Sequence, residues 1–167
     1  MKKLLLLFPI LTLFLASCGP TKDQAILVND EMVSKVAKCS NAEKLFFETC
    51  KTFNPVTIKQ QLKEFTEVCK KVKIETEGTE VHKDLTKLKE STLQLIDAYI
   101  KTEPEYSEYA RLFSIPSADY TDADDKLTST TATKINNTIN IAFMEFNLTQ
   151  KEFGNKYGYT IESNKKK

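Results

Sequence analysis

Apolar residues recur through most of this chain at intervals of three, four and seven, the period of one helix face. From about Asp23 to Phe53 the stripe is Met32, Val36, Cys39, Phe46, Cys50 and Phe53. Asn54-Pro55 ends it, with Asn54 a good N-cap for the next helix and Pro55 at a tolerated first-turn position. The second stripe is Ile58, Leu62, Phe65, Cys69 and Val72, and it stops near Gly78. A third helix is expected from about Thr79, with Val81, Leu85, Leu88, Leu95 and Tyr99 at helical spacing. Glu103-Pro104 interrupts it, because the residue before a proline is pushed out of the α region. Tyr106, Tyr109, Leu112 and Phe113 add a further turn or two, and a loop follows over residues 115–120. Thr121 and the acids of Thr121-Asp122-Ala123-Asp124 suit the start of a last helix. Its buried face is Ile135, Ile139, Ala142, Phe146 and Phe153, with Gly154 and Gly158 marking where it frays. No internal repeat and no sustained period-2 stretch occurs. The expected fold is therefore all-α: an antiparallel up-down-up-down four-helix bundle over residues 23–160, its third helix broken near Pro104.

The first 18 residues follow different rules. Lys2 and Lys3 precede an apolar run from Leu4 to Leu15 that is too short to cross a bilayer, which needs about 20 residues. This is the layout of a secretory signal. Leu15-Ala16-Ser17-Cys18 resembles the lipobox of bacterial lipoproteins. That resemblance implies cleavage after residue 17, lipid on the Cys18 sulfur, and a tether over residues 18–22. It also implies export and anchoring to the bacterial cell envelope. Gly19 rather than Asp follows Cys18, which favours the outer membrane and leaves its periplasmic and surface faces both open.

Composition narrows the partners. Of 24 basic side chains, Lys2 and Lys3 leave with the signal, so 22 face 23 acidic ones in the remaining 150 residues. Such balance speaks against a nucleic-acid surface. Residues 161–167 form a basic, solvated tail.

Three cysteines remain once Cys18 is lipidated. Cys39 and Cys50 lie about 16 Å apart along one helix, too far to bridge. Cys39 and Cys69 are each 15 residues from Asn54, so an antiparallel hairpin sets them level, and a Cys39–Cys69 disulfide is allowed in an oxidising compartment. Three reduced, buried thiols stand as the equal alternative.

No pattern of catalytic or cofactor chemistry emerges. His82 is the single histidine and lacks a nucleophile elbow or family signature. A Cys-x-x-Cys-His haem site, clustered zinc ligands, paired Glu-x-x-His motifs and a phosphate loop are all missing. Asp119, Asp122, Asp124 and Asp125 lack the glycine and closing glutamate of an EF-hand loop. No metal site or cofactor is expected. Tyr99, Tyr106, Tyr109 and Tyr120 concentrate in the third segment and its loop, and form the candidate binding surface for a protein or a small apolar ligand.

Two further patterns resemble a family of small helical bacterial surface lipoproteins. They are Asn29-Asp30-Glu31-Met32-Val33, after the lipobox, and Glu105-Tyr106-Ser107-Glu108-Tyr109, after a Lys/Glu-rich hairpin. The resemblance implies the bundle and the anchor and brings no activity with it; the three extra cysteines depart from its pattern. The expected role is a membrane-anchored, non-enzymatic binding or interaction module. A structural spacer of the envelope and an enzyme with an unrecognised site are the alternatives.

Overall fold

A computed structural model describes residues 19–160, so the leader, Cys18 and the tail over 161–167 lie outside the described residues. The chain is all-α: among the described residues there are five α-helices, one 3₁₀ turn and no strand.

Helix α1 spans Lys22–Cys50 and opens on a capping box in which Thr21 and Gln24 satisfy each other's backbone N–H groups. Helix α2 spans Pro55–Glu77, and the Asn54 side chain accepts from the Val56 and Thr57 amides at 3.0 and 3.3 Å. The two form an antiparallel hairpin. Deep in it, the Lys35 ammonium pairs with Glu31 at 2.8 Å, donates to the Glu75 carbonyl at 3.2 Å and hydrogen-bonds Thr79. A lysine only 7% exposed needs such partners, because an uncompensated buried charge is costly.

The third helix begins later than its periodicity implies. Residues 79–82 are non-helical, a 3₁₀ turn covers Lys83–Leu85, and α3 spans Thr86–Lys101. The His82 ring nitrogen accepts from the Asp84 amide at 3.2 Å and starts that turn. Helix α4, Glu103–Phe113, follows after Thr102 alone, with Pro104 in its first turn where no amide is needed. The break falls at Thr102, one residue earlier than the proline rule puts it: Glu103 is itself helical, and the amide that Pro104 lacks interrupts the ladder.

Helix α5 spans Asp122–Tyr157, closed at its start by a Thr121–Asp124 capping box. The glycines near its end do not mark fraying. Gly154 is buried inside the helix, and Gly158 caps it in the left-handed region at φ 70°, donating to the Gly154 carbonyl. Helix α5 packs on α3 and α4, while α1 and α2 pack on each other and on α3. One buried polar pair ties the first helix to the last: Gln150 donates to Asn29 at 2.9 Å.

The core holds most of the expected stripe residues, among them Met32, Phe46, Ile58, Phe65, Leu95 and Ile135. Phe53 is the exception. It lies beyond the end of α1 at φ 55°, is 66% exposed, and stacks on Phe113 with centroids 5.5 Å apart. The chain reverses there in four residues, and a left-handed residue makes the reversal; the helical stripe stops at Cys50.

Candidate functional site

The four tyrosines do not form a surface. Tyr99 and Tyr106 are buried at 2% and 0% exposure, Tyr109 is half-buried, and only Tyr120 is open to solvent. The correction has a physical cause: a phenol has a large apolar ring, and it enters a core when its hydroxyl finds a partner there. The Tyr106 ring stands edge-on to Phe65 at 4.8 Å and to Phe46 at 5.8 Å. Tyr109 meets Phe47 edge-on at 5.2 Å and lies 4.6 Å from Phe113. Tyr120 makes a local bond to Thr128 at 2.9 Å.

The partner of the Tyr106 hydroxyl is Glu43, from α1, to which it donates. Burial raises the Glu43 carboxyl above its ordinary range, and the Tyr106 bond acts in the opposite sense. Burial, together with the Glu43 charge, pushes the Tyr99 phenol up. Tyr106 is raised by the same two causes in the same order. Glu43 thus anchors a polar thread through an aromatic core.

Cys39, Cys50 and Cys69 are all buried free thiols. Cys39 and Cys69 do come together across the hairpin, where the Cys69 thiol is raised chiefly by a hydrogen bond to Cys39 and further by burial. They are in contact as thiols and not joined: the sulfurs are beyond disulfide distance, so the clamp expected as one possibility is absent from this structure. Cys50 is pushed up to about 12 by burial, which leaves almost no thiolate near neutral pH. Within the acidic run at residues 119–125, Asp124 closes the cap by accepting from Thr121, and Asp122 and Asp125 lie in the first turn of α5. Among the described residues no group of three or more His, Cys, Asp or Glu side chains is placed to hold a metal ion.

The feature that sequence reading passed over lies on α5. Its inward face is Ile135, Ile139, Phe146, Gln150 and Phe153. Ile141, Met144 and Leu148 form a second stripe, exposed at 60%, 65% and 60%. Ile141 and Met144 each stand two residues from a buried side chain, Ile139 and Phe146, which is about 160° round a helix. The same row continues upstream through Asn137, Lys134 and Thr130 to Leu127, all exposed. From Leu127 to Leu148 it runs about 31 Å at 1.5 Å per residue. The signal was present in the sequence, since α5 carries apolar residues at helical spacing on two faces and a single core accounts for one.

No protein-family model, curated protein or solved structure matches the chain.

Proposed function

We propose that the chain is a lipid-anchored envelope protein whose helical domain is a non-enzymatic interaction module, docking a helix of a protein partner along the outward face of α5. The observation that carries this reading is the Ile141–Met144–Leu148 stripe. Scattered exposed apolar residues are ordinary, but a row of them opposite the core face packs on nothing among the described residues. Spacing of three, four and seven is the pattern that lays one helix along another. The polar Thr130, Lys134 and Asn137 in the same row keep the free face soluble and fix the register of whatever docks.

The anchor rests on the lipobox resemblance of Leu15-Ala16-Ser17-Cys18. Gly19 lies against Asp84, at the end of the bundle where α1 begins. With 29 residues, α1 then carries the hairpin tip about 43 Å from that end. The test pairs two variants. Cys18→Ser releases the protein from the membrane fraction, and full retention overturns the anchor. Ile141→Glu with Met144→Glu leaves the melting temperature of the domain unchanged but abolishes its crosslinked complex on intact cells. An unchanged complex overturns the docking face.

A further inference from the structure

The end of the hairpin farthest from Gly19 carries a different surface. Between the last turn of α1 and the first turns of α2 opens a groove of about 510 Å³, lined by Thr49, Thr52, Asn54, Thr57, Gln61 and Glu64, with Gln60 at its side. Every lining residue bears a hydroxyl, a carboxamide or a carboxylate, and none is aliphatic, aromatic or basic. Sites for apolar small molecules have the reverse composition.

The hydrogen-bond inventory specifies the ligand further. The three threonine hydroxyls spend their protons on backbone carbonyls: Thr49 on Leu45 at 2.8 Å, Thr52 on Thr49 at 2.7 Å and Thr57 on Asn54 at 3.1 Å. They therefore present oxygen lone pairs, one of those on Thr52 already taken by the Asn54 backbone amide at 3.4 Å. The Asn54 oxygen is taken by the α2 amides, which leaves its NH₂ group to donate. One Glu64 oxygen accepts from Gln60 at 2.9 Å and the other is free. The groove thus offers oxygen acceptors and carboxamide N–H donors side by side, with a single negative charge. That set repels phosphate and carboxylate ligands and matches a ligand dense in hydroxyl groups.

The groove is also held in shape. Phe53 lies in the sequence between two lining residues, and its left-handed backbone sets the reversal that places Thr52 and Asn54. A non-glycine residue in that region costs energy, and such strain collects at functional sites. Its ring is stacked on Phe113, and the Asn54 backbone amide donates to the Thr52 hydroxyl oxygen at 3.4 Å within the turn.

We propose that this groove binds a neutral saccharide, its hydroxyls donating to Thr49, Thr52, Thr57 and Glu64 and its ring oxygens accepting from Asn54 and Gln61. The site is separate from the α5 face and does not depend on it. The test uses the mature chain with Cys18→Ser on an array of immobilised neutral and acidic oligosaccharides. An NMR titration of the labelled protein with the best-retained neutral one follows. Neutral members are retained, amide shifts fall on residues 49–64, and Gln61→Ala and Glu64→Ala each weaken binding about three- to tenfold, the value of one hydrogen bond. Both positions lie off the core, so the variants fold. Retention of nothing, retention of acidic members alone, shifts elsewhere in the domain, or wild-type binding by both variants overturns the assignment.

Discussion

Removing one oxygen atom from Tyr106 probes the interior most sharply. Tyr106→Phe keeps the ring and its edge contacts with Phe65 and Phe46 but deletes the donor to Glu43. A hydrogen bond to an ionised group contributes about 1.5–3 kcal/mol, and leaving the buried partner unsatisfied costs a similar amount. At pH 7 the variant should lose about 2 kcal/mol, which for a domain of this size lowers the melting temperature by roughly 4–8 °C. The loss should depend on pH. Burial raises the folded-state pKa of Glu43, so the folded protein holds a proton that the unfolded chain has released. Stability from this group is therefore greatest in acid and falls as pH rises from the usual carboxylate range through the raised folded value. Removing Tyr106's bond, which opposes that rise, should steepen the fall. Glu43→Gln keeps an acceptor for Tyr106 without a charge, so it should flatten the pH dependence and be no less stable than wild type at pH 7. Urea unfolding followed by circular dichroism, at pH 4.5 and pH 7, measures both. Equal losses for Tyr106→Phe at the two pH values refute a charged Glu43. No loss at either removes the bond from the account.

The remaining predictions concern other parts of the chain. Denatured without reductant, the described domain should alkylate at Cys39, Cys50 and Cys69, whereas in the folded state burial keeps all three slow; intact mass showing a single labelled thiol refutes the free pair. Gly158→Ala forces a side chain into φ 70° with open space around it, so the cost is backbone strain alone, about 1 kcal/mol and a few degrees in thermal melting. An unchanged melting temperature means the cap contributes nothing.

Much of the fold was written in hydrophobic spacing. Ile58, Phe65, Cys69 and Val72 on α2, and Ile135, Ile139, Phe146 and Phe153 on α5, are buried where periodicity put them, because one apolar face faces one core. Pro104 marked a real break, but through the amide it lacks, since Glu103 before it is helical. The misreadings have causes too. Val81 and Leu85 kept helical spacing through a stretch that is non-helical and 3₁₀, since apolar positions there need only reach the core. Phe53 continued a stripe past its helix because spacing carries no information about a left-handed turn. Tyr106 was read as surface because its partner, Glu43, lies 63 positions earlier and meets it only in three dimensions. Cys39 and Cys69 were level as hairpin symmetry required, but register does not determine whether a bond forms. The α5 outer face was legible and passed over, because the inner face already satisfied the expectation of a core. The groove at the hairpin tip was not legible, since it needs two helix ends and the turn between them.

The central claim is that α5 docks a partner with its outward face. A photoreactive amino acid placed at Met144 on intact cells, with a second at exposed Lys59 on α2 as control, tests it most directly. The account predicts a discrete crosslinked species from residue 144 that is absent from residue 59 and disappears when Ile141→Glu is added. No adduct from residue 144, or the same adduct from both positions, contradicts it.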